Sequence, residues 1–340
     1  MTKPTAKEVA AKINSTMGDN TVVLGSDQSL AVNLWPTGVF PFDMILGGGL
    51  PAGRSLEIYG GYSVLKSYLA LRAIGSVQAA GGTCALVDSE HAYDPEWAAS
   101  LGVDVDELIV QHPSTGEDAV MLTQTLIQNE FDLVVWDSVA AAIPKAYAEA
   151  RPGDSAEAQP ARLATLMSKG LSRMNSVNKK TCLLFINQTR TNLGITWGSK
   201  ETTPGGNALP FYASLRINLR RAGRITRDVR VNDTEKEIPA KETVGYKIKA
   251  TLEKSKLNKP HREVWFRFNL DGGEVDEENF LLSQGQSVGL VTSPSKGWYT
   301  IPEVFEDGEK MRMSKLTEFI RNDEEVREWL KMELMTQMME

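Results

Sequence analysis

Cysteine is nearly absent: Cys84 and Cys182 are the only two in 340 residues, each inside an apolar run. A disulfide framework is therefore excluded, and reduced, buried thiols are expected. Histidine is almost as scarce, and His91, His112 and His261 show no metal-ligand spacing. Long hydrophobic runs are missing as well. The first twenty residues interleave Lys3, Lys7 and Lys12 with short apolar side chains, so neither a leader nor a membrane span is expected, and the protein should stay in the cytoplasm. The 28 Gly and 15 Pro stand near average usage, which excludes collagen-like and low-complexity chains. What is present is 41% hydrophobic residues, enough for a large core. The length suggests one main domain with smaller flanking lobes.

A net charge of −7 argues against indiscriminate nucleic-acid binding, but the charge is unevenly spread. Residues 1–187 carry 13 basic and 20 acidic side chains, residues 188–267 carry 17 and 8, and residues 268–340 carry 7 and 16. Only the middle stretch is a candidate polyanion surface. Charges of this kind also solvate strand faces, so a second signal is needed.

Residues Ala6 to Met17 read as a short amphipathic helix, and 21–24 (ThrValValLeu) as a short strand, together an arm outside the main core. Strand-like apolar runs then alternate with helical stretches: 55–59, 83–88, 108–110, 132–137 and 181–187. This is the βαβ rhythm of an α/β fold with a mostly parallel sheet flanked by helices. From 214 the period changes. SerLeuArgIleAsnLeuArg (214–220) and GluValTrpPheArgPheAsnLeu (263–270) alternate apolar with polar, as antiparallel strands solvated on one face do. After the AspGlyGly turn (271–273) the chain becomes acidic, and Met313 to Met338 reads as helix. The expected organisation is an arm (1–33), a core (34–270) and a small carboxy-terminal lobe (271–340).

The segment Gly60-Gly61-Tyr62-Ser63-Val64-Leu65-Lys66-Ser67 follows an apolar strand and opens the helical stretch 66–80, which begins Lys66-Ser67-Tyr68. A Walker A phosphate loop requires that context: backbone N–H groups cradle phosphates, Lys66 reaches the outer ones and Ser67 holds Mg²⁺. Leu65 departs from the pattern, which has Gly there, and its Cβ is expected to crowd the loop. Asp137 closes an apolar run in the manner of a Walker B strand and would support the metal. Glu90, just past strand 83–88, falls at the same sheet edge, where a carboxylate can activate water for attack on the terminal phosphorus. A capping or strand-terminating role is the plainer reading of either acid, but three such signals on successive strand ends point to ATP chemistry.

With these, residues 88–95 (AspSerGluHisAlaTyrAspPro), 136–141, 185–190 (PheIleAsnGlnThrArg) and 201–214 resemble the signature segments of the RecA recombinase family, in the right order along nearly the whole chain. Leu65, the AspGlyGly at 271–273 and GlyTrpTyr at 297–299 look more like the UvsX-type recombinases of tailed bacteriophages. The resemblance implies a RecA-like P-loop ATPase core with a mixed, mostly parallel central sheet, an amino-terminal polymerisation arm and a small carboxy-terminal α/β lobe. It implies an ATP- and Mg²⁺-dependent helical filament on single-stranded DNA that pairs with homologous double-stranded DNA and exchanges strands. Mediator and single-strand binding proteins would assist, and no membrane is involved.

By matching position, the family's roles fall on Lys66 and Ser67 (phosphate and Mg²⁺), Asp137 (metal), Glu90 (water) and Gln188, which would sense the terminal phosphate. Residues 151–159 and 189–206 match its two DNA-binding loops, the second supplying Arg190, Thr202, Gly205 and Gly206 with Asn207 just beyond. Arg162, Lys169 and Arg220 are placed to meet the DNA backbone. Lys254 and Lys256 match a lysine pair that reaches the neighbouring subunit's ATP, and Phe211 an interface aromatic. Val22 and Val23 lie in the strand that adds to the preceding subunit's sheet. Trp97 matches an aromatic stacked on the base and Asp94 an adenine contact. A ring helicase on the same core, and a non-catalytic DNA-coating protein, are the rival readings.

Overall fold

The structure is a computed structural model that describes residues 3–18, 21–149, 159–191, 201–233, 236–305 and 308–339. The chain divides into two compact units, Met1–Asn33 and Leu34–Glu340. In the first, α1 (Ala6–Met17) starts at a capping box in which Thr5 and Glu8 satisfy each other's backbone N–H. The strand expected over 21–24 is not formed. A strand needs a ladder partner, and among the described residues Val22 is instead met by the Asn14 amide, which both donates to its carbonyl and accepts from its N–H at 2.9 Å.

The second unit opens with β1 (Leu34–Trp35), α2 (Phe40–Leu46) and β2 (Leu50–Pro51), β1 and β2 forming a two-stranded ladder. The βαβ run follows: β3 (Ser55–Gly60), α3 (Lys66–Ala79), β4 (Cys84–Asp88), α4 (Pro95–Ser100), β5 (Leu108–Gln111), α5 (Gly116–Gln128), β6 (Leu133–Asp137), α6 (Lys145–Ala148), α7 (Gln159–Val177) and β7 (Cys182–Gln188). Then come β8 (Arg190–Thr191), β9 (Glu201–Thr202), α8 (Ala208–Tyr212), β10 (Leu215–Asp233), β11 (Lys236–Ser255) and β12 (Glu263–Asn269). The chain closes with β13 (Glu274–Val275), α9 (Glu277–Val288), β14 (Thr292–Ser295), β15 (Trp298–Thr300), α10 (Met313–Asn322) and α11 (Glu324–Met339).

Nine strands make one sheet in the order β13-β12-β11-β10-β3-β7-β6-β4-β5. It is parallel from β10 to β5 and antiparallel from β10 to β13, so the change of sheet type falls where the apolar period changes. The central strands read as unbroken apolar runs because both faces are covered. Leu86, Val135, Leu184 and Ile186 face one cluster with α2 and α3, while Val87, Trp136, Leu183 and Phe185 face a second with α5 and α7. Full burial of such side chains stabilises the fold by roughly 1.5–3 kcal/mol each.

Phe280, Leu281 and Leu282 of α9, with Leu316, Ile320, Leu330 and Leu334 of the last two helices, belong to the same cluster as Phe40 and Phe42. The single helix expected over 313–338 is two, because Asp323 leaves helical geometry and its carboxylate caps the next turn at Val326 N–H. The alternation seen at 214–220 and 263–270 is real, but β10 and β11 run on as a ribbon of 19 and 20 residues, far longer than that pattern suggested.

Candidate nucleotide site and DNA-facing residues

The carboxyl ends of β3, β4, β6 and β7 bring the phosphate-loop elements together. At Gly60 the backbone of β3 passes so close to the Leu219 carbonyl of β10 that any Cβ would collide with it. Two non-glycine residues of the loop take left-handed backbone, Ser63 at φ 52° and Leu65 at φ 71°. Leu65 occupies its non-pattern position by adopting a glycine-like conformation, packed partly into the core. The lysine and serine that follow keep their places. Lys66 Nζ donates to the Gly61 carbonyl at 2.6 Å, and Ser67 Oγ donates to Asp137 Oδ2 at 2.7 Å. Burial lowers the Lys66 ammonium below its usual range, while Asp137 and Glu90 hold it up. Burial likewise pushes the Asp137 carboxyl up to about 6, Ser67 and Lys66 opposing the rise and Glu90 and Asp88 adding to it. A hydroxyl and a carboxylate side by side, with Glu90 and Asp88 nearby and Lys66 the adjacent cation, form an oxygen donor set that suits Mg²⁺.

Asp88 and Asp137 are register partners on β4 and β6. Asp88 is 3% exposed and accepts from the N–H groups of Glu90 (3.0 Å), Ala92 (2.8 Å) and Tyr93 (3.0 Å), which folds the segment after β4 tightly back on itself. The Glu90 carboxylate is thereby aimed across the sheet edge, where Ser138 Oγ donates to its Oε1 at 2.5 Å and Gln188 Nε2 at 3.0 Å. His91 stacks on His112, ring centroids 5.1 Å apart, and His112 Nδ1 lies 3.5 Å from Asp88.

One polar cluster was not singled out from the sequence. Glu57, fully buried in the middle of β3, pairs with Arg216 of β10 at 2.5 Å and accepts from Asn187 Nδ2 at 2.9 Å. Asn187 in turn donates to the Pro204 carbonyl at 3.0 Å, and its Oδ1 accepts from Gln188 N–H. Arg216 also lies 4.6 Å over the Tyr59 ring. The signal was available: a lone Glu inside the apolar run SerLeuGluIleTyr needs a buried partner.

A cavity of about 700 Å³ opens over the phosphate loop, lined by Tyr62 to Tyr68, Glu90, Trp97, Asp137 and Gln188. Five further lining residues were not read as site residues from the sequence, namely Arg221, Tyr246, Phe268, Leu270 and Gly273. Trp97 is 42% exposed and faces this space. Asp94 is not among the described lining residues; its Oδ1 caps α4 by accepting from Glu96 and Trp97 N–H.

Lys254 and Lys256 do not line this cavity either. Lys254 Nζ donates to the Pro210 and Phe211 carbonyls at 2.6 and 2.9 Å, and Lys256 Nζ to Phe211 at 3.1 Å. Burial, then the charges of Lys256 and Arg216, lower the Lys254 ammonium. The Phe211 ring beside them is 72% exposed. Val22 and Val23 are half-buried within the amino-terminal unit.

Among the DNA-facing candidates, Arg190 and Thr202 are register partners of β8 and β9, and Arg220 pairs with Glu201 at 2.7 Å, so three of them share one neighbourhood. Gly205 and Gly206 both take positive φ, and Gly206 runs so close to Ala164 of α7 that a Cβ would clash. Asn207 precedes α8. Arg162 donates to the Ala146 carbonyl at 3.0 Å and, with Lys169, lines a groove of about 770 Å³ between α5 and α7. Residues 151–158 of the first expected loop and 192–200 of the second lie outside the described residues.

Comparison with known proteins places this geometry. The family model described as RecA N-terminal domain matches residues 5–273. The chain is 39% identical over 310 residues to Protein RecA of Frankia alni, covering 90% of this chain and 83% of that one. It is 42% identical over 306 residues to Protein RecA of Zymomonas mobilis, covering 88% and 82%. A third relative, Protein RecA of Rickettsia canadensis, is 40% identical over 299 residues, covering 86% and 82%. The chain belongs to the RecA family, whose members are DNA-dependent ATPases that use ATP with Mg²⁺ in recombination and repair.

Proposed function

We propose that this chain is an ATP-dependent DNA recombinase that polymerises on single-stranded DNA and exchanges strands with a homologous duplex. The observation that carries the reading is the Gln188–Glu90 contact at 3.0 Å, made by the last residue of β7 immediately before the chain enters the segment 189–206. The next residue, Thr189, donates its N–H to the Gly60 carbonyl at 3.1 Å, tying the start of that segment to the phosphate loop itself. A change at the terminal phosphate thus has a short route to residues that match DNA-binding positions.

In this reading Lys66 and the loop N–H groups bind the outer phosphates, and Ser67 and Asp137 hold Mg²⁺, which neutralises charge on the phosphate oxygens when bound. Glu90 orients the attacking water and takes its proton, held in place by Ser138 and Gln188. Trp97 stacks on the base. Lys254 and Lys256, outside the cavity of their own subunit, stabilise the leaving phosphates of the neighbour's ATP, and the exposed Phe211 ring joins that interface. The arm with Val22 and Val23 adds to a neighbouring sheet edge, where 21–24 gains a ladder partner.

Arg162, Lys169, Arg190, Thr202, Gly205, Gly206, Asn207 and Arg220 contact DNA, and mediator and single-strand binding proteins assist loading in the cytoplasm. A place in the bacteriophage branch rests on Leu65 and residues 271–273 and 297–299; the relatives reported above are bacterial. The test is ATP hydrolysis against protein concentration, with and without single-stranded DNA. Cooperative, DNA-stimulated hydrolysis is expected, and hydrolysis first-order in protein and indifferent to DNA would sink the reading.

A further inference from the structure

We infer that Arg221, stacked on Tyr246, is a positioning residue that braces the phosphate loop from the β10–β11 ribbon and makes leucine tolerable at position 65. The inference rests on the reading of residues 60–67 as the nucleotide phosphate loop. Left-handed backbone at a non-glycine residue is strained, and this loop carries it at both Ser63 and Leu65. Such strain persists only where surrounding contacts over-determine the backbone. On the Leu65 side the contact is apolar, the side chain packing partly into the core beside buried Val64. On the Ser63 side it is Arg221, whose Nη2 donates to the Ser63 carbonyl at 2.8 Å across 158 residues of sequence.

Arg221 is aimed there by the ribbon. Its register partner is Ile248, but Gly223 pairs with the adjacent Lys247, which leaves Ala222 as an extra residue; a bulge of this kind bends the strand and redirects its side chains. The guanidinium carbon sits 3.8 Å over the Tyr246 ring, close enough for cation–π attraction to fix its plane. Tyr246 pairs with Phe268 of β12, and Phe268 packs edge-on against Tyr68 of α3, ring centroids 5.1 Å apart. The brace therefore starts and ends on elements that wall the same cavity. Lysine cannot replace it, since an ammonium has no planar face to stack on the ring while reaching the carbonyl.

The test is a double-mutant cycle read as the Kd of a fluorescent N-methylanthraniloyl ATP with Mg²⁺, without DNA. Arg221→Ala should weaken binding about tenfold, and Arg221→Lys should recover less than a third of that loss. Tyr246→Leu, which keeps the arginine and removes its platform, should lie between. In a Leu65→Gly background, where the strain at position 65 is relieved and only that at Ser63 remains, Arg221→Ala should weaken binding less than threefold. Equal effects of Arg221→Ala in both backgrounds, or full recovery with lysine, would overturn the brace while leaving the nucleotide site intact. Failure of the wild type to bind, or Lys66→Ala binding as the wild type does, would overturn the underlying reading and the brace with it. Circular dichroism melts of each variant, expected within a few degrees of wild type, confirm that folded protein is being compared.

Discussion

Gln188 and Glu90 leave the sheet on strands separated by β6, yet the Gln188 amide donates to the Glu90 carboxylate at 3.0 Å. Glu90 thus has two fixed donors, Ser138 and Gln188, on one oxygen and retains its other oxygen for water. Glu90→Gln should slow hydrolysis about 10²–10⁴-fold, the usual contribution of a positioned general base, while nucleotide affinity changes less than about threefold. Gln188→Ala should instead abolish the stimulation by single-stranded DNA and leave more of the basal rate. Steady-state phosphate release with and without DNA separates the two, and a Gln188→Ala protein still stimulated by DNA would remove this amide from the relay.

Strands 83–88, 132–137 and 181–187 were legible because both of their faces are buried, so periodicity, length and the acids or amides at their ends all pointed one way. The loop between β3 and α3 was legible because its residues are contiguous in sequence. Arg221 and Arg216 were not, since their partners Ser63 and Glu57 lie more than 150 residues away and the pairing of β10 with β3 unites them. The segment 21–24 misled because an apolar, β-branched run does not by itself make a strand, and among the described residues it has no ladder partner. The break between α10 and α11 had a signal that was passed over: Asp323 followed by Glu324 and Glu325 is a helix start inside an apparent helix.

The Glu57–Arg216 pair should dominate stability at the sheet's turning point. Glu57 is fully buried and holds both the arginine and the Asn187 amide beside Gln188. Removing one partner of a buried pair leaves the other unpaired and costs about 3–5 kcal/mol. Glu57→Ala is expected to lower the urea midpoint accordingly, whereas the double variant Glu57→Met with Arg216→Met should recover much of the loss. A Glu57→Ala midpoint within error of wild type would show that Arg216 finds water instead.

If Lys254 acts on a neighbour's ATP, its loss should be contagious. Lys254→Ala should retain nucleotide binding, because its ammonium lies outside its own cavity against the Pro210 and Phe211 carbonyls. Hydrolysis should fall by about 10³-fold or more, as for a trans-acting cation on the transferring phosphoryl group. Mixed with wild type at one part in four, the variant should depress activity by more than its share. Activity that simply tracks the wild-type fraction would place both lysines in a self-contained site.

Asp43 should set the pH dependence of stability. Its Oδ1 accepts from Thr37 N–H at 2.8 Å, and burial, opposed by that bond and aggravated by Glu277, pushes its carboxyl up to about 7 despite Lys331 nearby. Below about pH 4 folded and unfolded chains both hold the proton, and the stabilisation is fully present. Between about 4 and 7 the folded chain holds a proton that the unfolded chain releases, so stability falls as pH rises and the loss is complete above about 7. A rise from 3.8 to about 7 bounds the effect at roughly 4 kcal/mol, at 1.36 kcal/mol for each tenfold change. Asp43→Asn can still accept from Thr37 but never ionises. Its urea midpoint should gain on the wild type as pH rises from 5 to about 7 and hold that gain above, and parallel profiles over that range would mean that Asp43 ionises in the folded chain as easily as in water.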